Sequence, residues 1–249
     1  MSFKDFFNSD SSRYDSYVSR LVKCTPKTQL TTLCENKHPI YRATINPNKD
    51  KTIFIVGGIH GNEIGGITGI LDFLERKKFP ENVTLEFFPI LNASGFISNS
   101  RLTDDGKDLN RDMCQQMKDI EIQSILNLAQ KIKPELFWTL HEDGSTDGFY
   151  AYYSDENKKP LWDRCAREAS NYFPIVNGDI HGDNCINGLI SHPKPKRVNS
   201  TPKHKCSLEN GIYELGCPYL TTETPMKENL AKRTLLNRKL IDLVTNDYW

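Results

Sequence analysis

Four segments of this 249-residue chain carry residue types that can do chemistry. Gly57-Gly-Ile-His60-Gly-Asn-Glu63 follows an apolar run, Thr139-Leu-His141-Glu142-Asp143 ends another, and Thr221-Thr-Glu223-Thr-Pro225 closes a third. Between the first two lies Arg101-Leu-Thr-Asp-Asp-Gly106-Lys-Asp108-Leu-Asn110-Arg111. Two imidazoles and a carboxylate around an open fourth position make a hydrolytic zinc site. His60 and Glu63 can supply one imidazole and the carboxylate, and His141 the second imidazole. Such a set leaves the ion enough positive charge to acidify a bound water. Each piece alone says little. Acids are 32 of 249 residues, so a histidine has one three places on about one time in eight. A lone histidine at a strand end is more often structural, Asp-Leu-Asn-Arg is more often a turn with a surface arginine, and Glu223 before Thr-Pro can be a cap. Their joint position at the ends of strands is what carries weight.

The elements that must position these residues are legible in outline. Residues 51–58 form a β-branched and aromatic run ending in two glycines, a buried strand and a tight turn. Ile67, Ile70, Leu71 and Leu74 recur at helical spacing within 65–76. Strands are expected over 83–91, 135–140, 148–153 and 219–222. Helices are expected over 120–132, 161–173 and 230–244, with a short one over 14–22. Strands alternating with helices from residue 51 onward imply an α/β fold, a largely parallel or mixed sheet with helices on both faces. Ligands in such sheets bind beyond the carboxyl ends of strands. One domain over 1–249 is expected, with 1–45 a polar segment packed on it. The basic, proline-containing stretch 191–206 reads as a surface loop, or as a patch that attracts an anionic substrate.

Composition narrows the classes. Lys+Arg and Asp+Glu are 32 each, giving zero formal charge, which disfavours nucleic acid as the main partner. Mean hydropathy is −0.56, and no apolar run reaches the ~18 residues that span a bilayer, so no membrane role is expected. The first residues lack the apolar core of a secretory signal. Seven cysteines occur without a Cys-x-x-Cys pair, which points to a reduced, cytoplasmic chain, a Cys24–Cys34 disulfide being the alternative.

Taken together, the four segments resemble the zinc metallocarboxypeptidases of the carboxypeptidase A type and their succinylglutamate desuccinylase and aspartoacylase relatives. The resemblance covers residue 51 to about 245. It implies a mixed central sheet in an α/β/α fold. It implies that His60, Glu63 and His141 bind one zinc ion and that Glu223 is the general base. Arg101 would polarise the scissile carbonyl, and Asn110 and Arg111 would grip a substrate carboxylate. The expected activity is hydrolysis of peptide bonds near a C-terminal carboxylate. An N-acyl-amino-acid amidohydrolase and a non-catalytic metal- or peptide-binding relative are the alternatives.

Two departures from that pattern bear on specificity. Glu142 and Asp143 stand where the peptidases carry a small residue and a tyrosine. They can bind a second metal, tune the first, select a cationic group, or form a solvated turn. No motif fixes the tyrosine that the peptidases place upstream of the catalytic glutamate, for which Tyr213 and Tyr219 are the candidates.

Overall fold

The computed structural model describes residues 11–26, 29–114, 119–192 and 207–248. The stretch 193–206, most of the basic loop, lies outside the described residues, as do residues 1–10. Ten strands and seven helices are described. The first part contains α1 (Ser11–Cys24), β1 (Leu30–Cys34), β2 (Ile40–Ile45), β3 (Thr52–Gly57), α2 (Ile64–Glu75), β4 (Thr84–Phe88) and α3 (Ala93–Ser98). The middle part contains α4 (Ile120–Ile132), β5 (Leu136–Asp143), β6 (Tyr150–Tyr153) and α5 (Lys159–Ala169). The last part contains β7 (Gly178–Ile180), β8 (Asp183–Cys185), β9 (Leu189–Ser191), α6 (Leu208–Glu214), β10 (Tyr219–Pro225) and α7 (Leu230–Asp247).

Eight strands form one mixed sheet in the order β1-β2-β4-β3-β5-β10-β6-β9. Its centre, β4-β3-β5-β10, is parallel, and both flanks bring in antiparallel pairs. This is the expected α/β architecture. The central strands are buried nearly throughout because helices cover both faces. β3 reads TIFIVG and is buried from Ile53 onward. On one face α2 lies against Leu140, so closely that a Cβ on Gly66 would sit 2.7 Å from the Leu140 Cβ. On the other, Glu209 of α6 receives the Thr139 hydroxyl hydrogen bond at 2.8 Å. Adjacent β5 residues thus face opposite layers.

The segment between α1 and β3 differs from the expected polar wrapping. Residues 30–34 form one edge strand of the main sheet, and residues 40–45 the strand next to it. Their alternation is broken, with burial running i-e-e-i-B in β1, so no clean period-two signal marks them. α1 docks on α2 through the Tyr17 hydroxyl, which donates to the Ile67 carbonyl at 2.9 Å, and through the two-pronged Arg20–Glu75 pair. Cys24, Cys34, Cys165, Cys185 and Cys217 are buried free thiols. Among the described residues, no helix is long and apolar enough to cross a membrane.

Glu142, an expected candidate for a second metal, belongs to this scaffold. It points to the face opposite His141, where Arg233 of α7 donates to both its oxygens at 2.5 Å. Thr224 adds a third hydrogen bond at 3.2 Å. Burial raises the Glu142 carboxyl above its ordinary range despite the opposing pull of Arg233. Neither a metal nor a solvated turn accounts for this residue. It clamps β5 to α7 instead. Removing one partner of a buried ion pair strands the other charge, at a cost of about 3–5 kcal/mol. Arg233→Met is expected to lose stability of that order in urea unfolding. Adding Glu142→Gln should recover much of the loss, because the stranded carboxylate is then gone. An Arg233→Met single variant as stable as the parent would show that the pair contributes nothing.

Candidate metal centre

Local backbone geometry brings the first histidine to the sheet edge. β3 ends at Gly57, and the chain turns through Gly58, whose φ is 60°. Gly61 then passes so close to α3 that a Cβ there would lie 1.9 Å from the Gly95 carbonyl carbon. No side chain fits at that position, and the contact fixes the path from His60 to Glu63. Glu63 is the residue just before the first turn of α2. His141 needs no turn, because it lies within β5.

These three side chains converge. Both Glu63 oxygens face an imidazole Nδ1, Oε1 at 2.5 Å from His60 and Oε2 at 2.8 Å from His141. The two rings lie 5.0 Å apart at an interplanar angle of 51°. All three residues are buried, and their ligand atoms lie within 4.8 Å of one another. Among the described residues this is the one cluster of its kind.

The far nitrogens of the rings are also engaged. His60 Nε2 is 3.1 Å from Asp108 Oδ1, and His141 Nε2 is 3.3 Å from Glu209 Oε1. With a carboxylate behind each ring, a hydrogen on Nε2 has an acceptor, which lets Nδ1 offer a lone pair to an ion at the centre. Two imidazoles and a carboxylate with that orientation suit a divalent metal ion. Arg101 reinforces the point. Its NH1 approaches His60 Nδ1 at 3.3 Å and Glu63 Oε1 at 3.6 Å. One nitrogen cannot both accept from Arg101 and donate to Glu63, so the arrangement gathers lone pairs around a place for a cation.

Electrostatics agree. Burial alone would raise the Glu63 carboxyl, but His60 and His141 overcome it and hold Glu63 well below its usual range. Burial opposes a charge on His141, yet Glu63 and Glu209 push its pKa well above the ordinary value. The Glu209 carboxyl, raised by burial, is brought down to about 2 by its hydrogen bonds and by the His141 charge.

The remaining expected residues line one cleft of about 380 Å³. Glu223 is opposite His141 in the parallel β5–β10 register, so both point to the same face. Burial raises its carboxyl to about 8 even though His141 pulls the other way, and Glu63, Asp143 and Glu209 add to the rise. Arg101 is held by Asp108 at 3.0 Å. Arg111 lines the cleft and donates from NH1 to the Asn110 carbonyl at 2.6 Å. Asn110 is more committed than expected. Its Oδ1 accepts from Leu208 N at 2.8 Å.

Asp143, the other candidate for a second metal, faces the cleft mouth. It accepts from the Tyr150 hydroxyl at 2.8 Å and from Ser145, with His181 Nε2 at 3.7 Å. It forms no metal cluster among the described residues. Of the candidate tyrosines, Tyr219 lines the cleft with its hydroxyl 3.3 Å from His192 Nδ1, and Tyr213 packs edge-on against its ring.

Four cleft residues escaped the sequence reading. Tyr150 is opposite Glu223 in the β6–β10 register, and Tyr152 stacks on His192 at 5.1 Å. Tyr-Ala-Tyr-Tyr alternates as a strand does, which was the available signal for both tyrosines. His181 occupies the left-handed region at φ 53° in the β7–β8 turn, a conformation that non-glycine residues seldom adopt. Glu209 carries no local signal.

Residues 49–166 match the succinylglutamate desuccinylase/aspartoacylase catalytic domain. That span includes His60, Glu63, Arg101, Asn110, Arg111 and His141, whereas Glu223 lies beyond it. No curated protein sequence matches significantly. Among solved structures, a protein of Shewanella baltica OS155 assigned to the metallopeptidases superposes with a TM-score of 0.80 at 23% identity, covering 95% of this chain and 92% of its own. A metallo-carboxypeptidase from Pseudomonas aeruginosa, in complex with (2-guanidinoethylmercapto)succinic acid, gives 0.70 at 16% identity, over 94% of this chain and 68% of that one. A succinylglutamate desuccinylase from Silicibacter sp. TM1040 gives 0.56 at 16% identity, over 87% and 64%. The chain therefore shares the fold of these structures, and over residues 49–166 it also resembles the succinylglutamate desuccinylase/aspartoacylase catalytic domain in sequence.

Glu63 and Glu209 push the His141 pKa up, so a metal bound at this cluster is expected to compete with a proton there. Affinity should rise about tenfold per pH unit while His141 is protonated in the metal-free chain, and level off above that range. Calorimetric titration in buffers of different ionisation enthalpy will count the protons released. An affinity that does not change between about pH 6 and 8 would contradict the assignment.

Proposed function

We propose that the chain is a zinc-dependent metallohydrolase that cleaves an amide bond beside a free carboxylate of its substrate, as a carboxypeptidase does. The observation that carries this reading is the meeting, in one cleft, of the His60–Glu63–His141 cluster, Glu223 level with His141, and the Arg101 and Arg111 guanidiniums. Zinc, when bound, would polarise the scissile carbonyl and lower the pKa of water toward 7. His60, Glu63 and His141 are the residues to hold it, and one ion satisfies this donor set.

Glu223 takes the proton of the attacking water and delivers it to the leaving nitrogen. Its raised pKa suits it to holding a proton between the two steps. Arg101, anchored by Asp108, donates to the carbonyl oxygen as negative charge develops there. Arg111 offers a planar fork that matches a carboxylate, with the Asn110 amide beside it. One guanidinium serves chemistry and the other recognition. The family match over residues 49–166 supports a second reading, an amidohydrolase acting on an N-acyl amino acid with the same residues. A non-catalytic metal- or peptide-binding relative would have no use for Glu223. The buried free thiols support a reducing, cytoplasmic setting.

Glu223→Gln is nearly isosteric, so it should keep its zinc while losing on the order of 10²–10⁴ in kcat. A near-normal kcat would assign the proton to another group.

A panel of blocked dipeptides and N-acyl amino acids, each as free acid and as C-terminal amide, separates the substrate classes. Arg111→Ala should raise KM for free acids, losing about 2–5 kcal/mol of binding, while amides are already poor substrates for the parent. Arg101→Ala should lower kcat more than it raises KM. Equal turnover of acids and amides by the parent would remove the carboxylate clamp from both readings.

A further inference from the structure

We propose that Glu209 is a positioning residue for the metal centre, turning the His141 ring so that Nδ1 faces the ion. The proposal rests on the reading of His60, Glu63 and His141 as metal ligands. Glu209 enters from α6, an element outside the four segments that carry the family resemblance. It is buried, and its Oε1 lies 2.8 Å from the Thr139 hydroxyl and 3.3 Å from His141 Nε2. An imidazole has two nearly equivalent nitrogens, and a ring flip exchanges them. His141 Nδ1 can meet an ion beside Glu63 only if Nε2 keeps its hydrogen, and a hydrogen buried at that depth needs an acceptor. Glu209 supplies it. Asp108 occupies the same place behind His60 at 3.1 Å, so both imidazole ligands have the same backing. Carboxylates in this position also make the ligand nitrogen more basic.

Thr139 fixes the carboxylate in turn. Its hydroxyl donates to Glu209 and lies 2.9 Å from the Thr221 hydroxyl. α6 is pinned one residue earlier, where Leu208 N donates to Asn110 Oδ1. The first turn of α6 therefore touches a metal ligand on one side and the proposed carboxylate clamp on the other. A shift of α6 would disturb both together.

The test is zinc affinity, measured by competition with a chromophoric chelator on the full chain, with the visible spectrum of the cobalt(II)-substituted protein as a second readout. Removal of a carboxylate behind a ligand histidine commonly costs 10–100-fold in metal affinity. Glu209→Ala should weaken zinc toward the upper end of that range and shift the cobalt spectrum. Glu209→Gln keeps an acceptor but loses the charge, and should fall about tenfold. Thr139→Val removes the hydroxyl that fixes the carboxylate but keeps the carboxylate itself, and should weaken zinc less than Glu209→Ala does. If Glu209→Ala does not fold, Glu209→Gln decides. Parental zinc affinity and an unchanged cobalt spectrum in the folded Glu209 variants would overturn the proposal, even with lowered thermal stability. Failure of the parent to bind zinc would instead overturn the reading of the centre itself.

Discussion

A carboxylate shared between two imidazoles in a water-poor site sets the terms for the whole molecule. A histidine nitrogen faces each Glu63 oxygen and holds this carboxyl well below its usual range, while Glu63 and Glu209 push the His141 pKa up. Such a cluster is costly to bury unless positive charge is supplied. Protons can supply it, and so could a divalent ion. Asp108 and Glu209 add acceptors behind the rings, and Arg101 brings a positive charge to the rim.

The sheet meets these terms through register. β5 and β10 run parallel, so His141 and Glu223 stand side by side on one face without help from a loop. β6 runs antiparallel on the far side of β10 and sets Tyr150 beside Glu223. A single strand order thus sets His141, Glu223 and Tyr150 in one row. His60 and Glu63 come from a turn instead, which needs the close passage of Gly61 against Gly95 to hold its shape. Strands fix the half of the centre where proton transfer is proposed, and a tight turn fixes the other half.

What the sequence made legible follows the same division. α4 was expected over 120–132 and occupies Ile120–Ile132, because its apolar face repeats at helical spacing and Pro134 ends it. β3, α2, β5 and α7 were found within a few residues, since each is strongly patterned. β7, β8 and β9 have three residues each, too few to show a period. β1 and β2 are stabilised by sheet pairing more than by their own pattern. Within the centre, His60 and Glu63 are three residues apart and could be read as a unit. Glu209 meets His141 across 68 residues. Nothing near Glu209 marks it, because its role is created by the packing of α6 on the sheet.

The contrast between Glu142 and Glu223 shows how strand alternation assigns chemistry. Both are carboxylates on neighbouring paired strands, and both have pKa values raised by burial. Glu142 is opposite Thr224, one position beyond the His141–Glu223 pair, and so it points through the sheet to the helical layer. There Arg233 meets it directly, and the result is a clamp. Glu223 points into the cleft, where the nearby acids raise its pKa further and no guanidinium clamps it among the described contacts. A buried carboxyl that faces the cleft is placed to exchange a proton with whatever occupies it, as the proposed mechanism requires. A carboxylate fixed by two short bonds to an arginine is not. A one-residue slip of β10 against β5 would turn Glu223 to the helical layer while His141 stayed at the cleft, and the pair would be split across the sheet.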